Sequence, residues 1–320
     1  MKITIDPRIE LLMSIELQND LTNPGFAGLT KVETTYKKQF IDYFSSYKNS
    51  ESTKHYLKIC NGSCSMDFSA ATIFHLSNPP DLKVVRPFDR YGRQYQSFIK
   101  ILRDFAVETD FMAFFVKYKG MFQKVTESAR KELKSKDIVL PIESYYGMGL
   151  NSYNIILSPL FREGGNGFRI NSIKNWYDGY AIVGPTKVKN GLPYFDSRLV
   201  GTLWHEFGHH FVEPITEQHT AALRRKFSKV KLSLWGYPIW QNVINEYIIR
   251  AISNRIEFRV KGEENTVLKW IREEEKGGFV HMRELYDYLK IYEDNRDIYP
   301  TLIEFYPEII KELERLLLNK

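Results

Sequence analysis

The spacing of apolar and polar positions divides the chain into three stretches. Asp6-Pro7 predicts a helix start, with Asp as N-cap and Pro at the first helical position, followed by apolar Ile9, Leu12 and Met13. Helical spacing then dominates to about Lys136. Phe98, Ile101, Leu102 and Phe105 recur at i, i+3, i+4 and i+7, and similar patterns run near 31–48 and 108–134. Asn78-Pro79-Pro80-Asp81 reads as a loop and Arg86-Pro87-Phe88 as an extended piece. After Lys136 the segments 138–141, 153–157 and 180–183 are short, rich in β-formers and bounded by Gly, Asn or Pro, which predicts strands. Gly164-Gly165-Asn166-Gly167 is expected to turn between two of them. From Asp196 the helical pattern returns, ending in an amphipathic segment over 301–318. Helices, a small sheet, then helices predict an α+β fold. The division expected is a mainly helical region over 1–135 and a second region over 136–320 that holds the sheet.

Composition narrows the class only a little. The 320 residues are 43% hydrophobic and 26% charged, enough to bury a substantial core. The longest wholly apolar run, 111–116, is far short of the roughly 20 residues that span a bilayer, so no membrane partner is expected. Asp6, Arg8 and Glu10 interrupt any secretory apolar run, and Cys60 and Cys64 are too few for a disulfide framework or a thiolate metal site. A cytoplasmic location is the expectation. The net charge of +6 arises from 45 basic and 39 acidic residues that are interspersed. The densest basic run, 224–231, lacks aromatic interleaving and reads as a solvated helix face, so no nucleic-acid partner is expected.

The chemistry concentrates in one place. Four of the seven histidines, His205, His209, His210 and His219, fall within fifteen residues. His205-Glu206-Phe207-Gly208-His209 is an H-E-x-x-H run inside a helical pattern. Asp196 or Ser197 is available as cap, Leu199, Val200, Leu203, Trp204 and Phe207 form the apolar positions, and Pro214 is expected to stop it. Residues i and i+4 stand one above the other on a helix, so both imidazoles can reach one metal ion. Glu206 lies about 100° round from His205, beside that stack, where a general base for a water would stand. Two nitrogens, one oxygen and an open fourth position suit zinc. Gly208 costs about 1 kcal/mol against Ala within a helix, which predicts close packing there.

For the third ligand, Val212 and Ile215 exclude the H-x-x-G-x-x-H arrangement. A glutamate on a later helix remains. Glu246 sits among Ile244, Tyr247, Ile248 and Ile249, and a carboxylate in so apolar a setting needs a cation. Arg250, at i+4, offers the simpler partner, a helical ion pair. Glu213, i+4 from His209, and His219 are the rival ligands. Tyr237, in Trp235-Gly236-Tyr237-Pro238, is a candidate donor to an oxyanion or simply a packed loop aromatic. Arg250 could serve the same end, orient Glu246 or bind a substrate carboxylate. The strands near 155–157 and 180–183 could offer an edge to an extended peptide, with Asn166 and its glycines at the rim or in a plain hairpin turn.

These residues resemble the gluzincin-type zinc metallopeptidases, through His205-Glu206-Phe207-Gly208-His209 and the downstream Asn245-Glu246. More closely, the chain resembles an uncharacterised family of zincin-like peptidases. There the opening over 6–12, the helix from His205 to Pro214 and the segment from Glu246 to Ala251 have counterparts. The resemblance implies a zincin-like catalytic domain, with His205, His209 and Glu246 on Zn2+, Glu206 as general base and a peptide or protein as substrate. Two departures stand out. Arg250 occupies the place of an aspartate in thermolysin-like enzymes, and the G-x-M-E-N exopeptidase signature is absent, Gly147-Met148-Gly149-Leu150-Asn151 being only superficially like it. The alternative is a zinc-binding structural or regulatory protein that keeps the fold without hydrolysis.

Overall fold

A computed structural model describes residues 1–22, 28–60, 66–88, 93–173, 176–228 and 239–318. Cys64 and the loop bearing Tyr237 lie outside the described residues. The fold is α+β and mostly helical, with a small mixed sheet. The described chain falls into two compact units, and neither is one continuous run.

The first unit comprises Met1–Lys136 and Asn151–Thr202. It opens with β1 (Lys2–Thr4) and seven helices: α1 (Pro7–Thr22), α2 (Thr35–Phe44), α3 (Glu51–Cys60), α4 (Met66–Ile73), α5 (Arg93–Glu108), α6 (Phe111–Lys117) and α7 (Lys119–Leu133). The later segment adds β2 (Ser152–Leu157), β3 (Gly165–Ile173), β4 (Trp176–Val183), β5 (Lys187–Lys189) and β6 (Leu192–Tyr194). The four-stranded sheet has the order β1-β2-β4-β3. β2 runs parallel to both neighbours, with Ile3 opposite Ile155 and Leu157 opposite Val183, while β3 returns antiparallel to β4. Buried β2 and β4 therefore read as nearly continuous apolar runs, as parallel strands covered on both faces do.

This topology corrects three expectations. β2 and β4 are both interior strands, so the segments near 155–157 and 180–183 present no edge; among the described residues the edge beyond β4 is β3. Gly165, Asn166 and Gly167 begin that edge strand rather than forming a turn. The sheet also sorts with the N-terminal helices, not with the chain after 136. Its residues Ile156, Phe168, Ile170, Tyr180 and Ile182 share one apolar core with Leu12, Phe40, Phe74, Phe98 and Phe105. Pairing of three-residue β1 with distant β2 joins the two segments of this unit. Gly184, just past β4, is fixed by crowding: a Cβ there would stand 2.0 Å from the Arg162 carbonyl oxygen and 2.2 Å from that of Phe161.

Helix α1 is buried along most of its length, including two carboxyls. Glu10 accepts hydrogen bonds from Tyr36 Oη (2.7 Å) and Ser158 Oγ (2.6 Å), and Glu16 accepts one from Tyr56. Burial lifts both from about 4.5 to about 7, aided by Asp6 and Asp20 respectively and opposed by the hydrogen bonds. Each carboxyl therefore holds its proton more tightly folded than unfolded. Its stabilising contribution is complete below pH 4.5 and is lost as pH rises through 7, to the extent of about 3 kcal/mol per group. Glu10→Gln and Glu16→Gln should each stabilise the protein at pH 8 and be nearly neutral at pH 4. Urea unfolding at the two pH values measures this, and an equal effect at both would contradict it.

The second unit comprises Asp137–Leu150 and Leu203–Lys320. Its first element is α8 (Val139–Tyr146), a helix where a strand was expected over 138–141. Apolar and β-branched residues suggested a strand, but the helix signals were present on either side. Asp137 Oδ1 accepts from the Val139 and Leu140 N–H groups, Pro141 falls in the first turn where its missing N–H costs nothing, and Gly147 closes the helix at φ +66°. The long helix α9 (Arg198–Gln218) starts in the first unit and continues here. There follow α10 (Thr220–Phe227), α11 (Trp240–Lys261), α12 (Glu264–Lys276), α13 (Met282–Tyr288), α14 (Lys290–Asp294) and α15 (Leu302–Leu318). Arg224, Arg225 and Lys226 are exposed on α10, and 229–231 of the basic run lie outside the described residues. Among the described residues no helix is long and apolar enough to cross a membrane.

Candidate metal centre

Helix α9 is capped by Asp196, whose Oδ1 accepts from the Arg198 N–H at 3.1 Å. Burial works against that carboxylate, but Lys187 and Arg198 outweigh it and hold its pKa near 2. Leu203, Trp204, Phe207, Phe211, Val212 and Ile215 are buried along the helix. Contrary to expectation, Pro214 does not end it: α9 runs on to Gln218. A proline within a helix costs about 3 kcal/mol through one lost hydrogen bond and a ring clash. Burial of Ile215 and Thr216 beyond it, with Thr216 Oγ1 donating to the Val212 carbonyl, keeps the last turn in place.

His205 and His209 stand one turn apart with their Nε2 atoms 3.3 Å from each other. Glu246, buried on α11, brings Oε2 to 3.7 Å from His205 Nε2 and Oε1 to 3.8 Å from His209 Nε2. One ligand atom from each of the three residues lies within 4.8 Å of the others, so the group could hold a metal ion. Two ligands about 2.1 Å from a tetrahedral ion stand about 3.4 Å apart, so the histidine pair already has nearly that spacing.

The two imidazoles are pushed in opposite directions. Burial pushes His205 down to about 3, against the pull of Glu246 and with His209 and Arg250 adding to the effect. Burial also opposes charge on His209, but the Glu213 hydrogen bond and the carboxylates of Glu206, Glu213 and Glu246 outweigh it and lift its pKa to about 9. Glu206 is buried and stands close enough to that imidazole to share in the effect, without joining the donor group. Carboxylates thus gather around His209, while His205 stays neutral and keeps its capacity to donate an electron pair.

The third donor's surroundings were only partly legible. Arg250 Nε donates to Glu246 Oε2 at 2.8 Å, so the helical ion pair and the approach to the histidines coexist. Arg250 is in turn held by Glu274 on α12 (Nη1 to Oε1, 3.6 Å) and stacks over Phe279, and Asn254 Nδ2 donates to Glu274 at 2.8 Å. Nothing in the local sequence marks Glu274 or Phe279, because they meet Arg250 from other elements. The rival ligands fall elsewhere. Glu213 Oε1 lies 2.8 Å from His209 Nδ1, the ring nitrogen not facing Glu246, and His219 stacks on Tyr306. Gly208 is packed as its helical cost suggested: a Cβ there would meet Tyr146 Oη at 2.8 Å and Ile249 Cγ2 at 3.0 Å. Ile249 is three residues beyond Glu246, so this close approach brings the Glu246 turn of α11 towards α9.

The molecule is thus a mostly helical α+β protein with a His–His–Glu cluster spaced for one ion. Residues 1–312 match the family described as a domain of unknown function, DUF4932, and the chain belongs to that family. Comparisons with curated proteins and with solved structures match nothing.

Proposed function

We propose that this protein is a zincin-like, zinc-dependent peptidase in which His205, His209 and Glu246 hold the ion and Glu206 is the general base. The observation that carries this reading is the placing of three donors within 4.8 Å of one another with the buried Glu206 on the same helix as two of them. Zinc suits two imidazoles and a carboxylate, and three protein donors leave the open position that distinguishes a reactive site from a closed structural one. When bound, zinc would acidify a water to a pKa of about 7 and polarise the scissile carbonyl.

The chain's own residues do the rest. Glu206 takes a proton from the attacking water at its carboxylate and returns it to the leaving amine nitrogen. Arg250 holds Glu246 through Oε2 while Glu274 and Phe279 hold Arg250, which keeps a charged ligand ordered in an apolar setting. Tyr237 is proposed as an oxyanion donor on sequence grounds, and the substrate as a peptide or protein.

The test is metal analysis together with cleavage of a mixed peptide pool. The isolated protein should contain one zinc per chain and cleave, lose cleavage on chelation and regain it with zinc. A fully zinc-loaded protein that leaves the pool intact would favour the non-catalytic zinc protein instead.

A further inference from the structure

We infer that Glu213 is a positioning residue for the metal centre: it fixes the ring and tautomer of His209 and thereby sets how tightly the ion is held. This rests on the metal reading above. Glu213 Oε1 lies 2.8 Å from His209 Nδ1, a short contact to an ionised acceptor. With that nitrogen donating its proton to the carboxylate, the ring once neutral keeps its lone pair on Nε2, which faces His205 Nε2 at 3.3 Å and Glu246 Oε1 at 3.8 Å. The other tautomer would point a hydrogen into the donor group.

The two residues are i and i+4 on α9, so the hydrogen bond needs only that helix. The contact also makes the imidazole a stronger donor, because a partner carboxylate shifts electron density towards the ligating nitrogen. The cluster thus has an outer partner for two of its three donors: Glu213 behind His209 and Arg250 behind Glu246. Their signs are opposite. Arg250 competes for a ligand oxygen, whereas Glu213 strengthens a ligand nitrogen. An exposed helical ion pair would account for the geometry alone, but such a pair has no reason to change metal affinity.

The Glu213 side chain is 46% exposed, so it can be replaced with little loss of packing. Zinc affinity, measured by competition with a chromophoric chelator, is compared for wild type, Glu213→Ala and Glu213→Gln, alongside the melting temperature of each metal-free protein. Glu213→Ala should bind zinc about 10–100-fold more weakly. Glu213→Gln should lose less affinity than Glu213→Ala, because its amide oxygen still accepts from Nδ1 although the carboxylate's push on the ring is gone, and the metal-free melting temperatures show separately what the lost His209 contact costs the fold. Wild-type affinity in Glu213→Ala overturns the positioning role, and equal weakening in both variants does so too by leaving charge alone as the cause. Wild type that takes up no zinc overturns the metal reading itself, an outcome separable from the other two.

Discussion

Glu206→Gln is expected to lower peptide turnover by about 10²–10⁴-fold, the usual contribution of a positioned base, while zinc content stays at the wild-type level. Glu206 is not among the three grouped donors, so the ion should not depend on it. The glutamine matches the glutamate in shape, and the site is buried, so packing is preserved. An amide oxygen can still accept a hydrogen bond from water but cannot take its proton at neutral pH. Removing a buried negative charge also relieves desolvation, so loss of activity through unfolding is not expected. Steady-state cleavage and metal content measured on the same preparation decide the matter. Turnover surviving in this variant would falsify Glu206 as the base.

The second large effect concerns Glu246. Glu246→Ala removes one of three donors and should weaken zinc binding by more than about 100-fold, beyond the range that changes around the ligands produce. It also strips Arg250 of its 2.8 Å partner, while the 3.6 Å contact with Glu274 and the stack on Phe279 stay. A half-buried guanidinium that loses its main acceptor costs about 1–3 kcal/mol, so the melting temperature of the metal-free protein should fall as well. Glu246→Gln separates the two effects, since the amide oxygen still accepts from Arg250 but is a poorer metal ligand. Zinc bound by Glu246→Ala as tightly as by wild type would remove Glu246 from the ligand set.

The site was legible in the sequence where one helix contained it. The i, i+4 spacing places His205 and His209 together whatever the surroundings, and the apolar neighbours of Glu246 marked it as a carboxylate in need of a cation. Gly208 likewise announced close packing through its helical cost. What stayed illegible depends on contacts between elements: Glu274 and Phe279 behind Arg250, and Tyr146 against Gly208. The fold shows the same division. The Asp6-Pro7 start of α1 and strands β2 and β4 were local, but the order β1-β2-β4-β3 depends on a three-residue strand pairing about 150 positions away. That pairing covers the edge of β2, as β3 covers that of β4. Around α8, local propensity misled because three β-formers outweighed an Asp cap and a Gly stop that proved decisive. At Pro214, burial on both sides of the proline outweighed a rule that holds for isolated helices.

Whether His205, His209 and Glu246 bind one ion together is read most directly by X-ray absorption at the zinc edge on the zinc-loaded protein. The account predicts a first shell of nitrogen and oxygen only. Two imidazoles should appear at about 2.0–2.1 Å with outer-ring scattering, and a carboxylate oxygen at about 2.0–2.2 Å. A shell with fewer than two imidazoles, a shell containing sulfur, or a protein that takes up no zinc from an excess would contradict it.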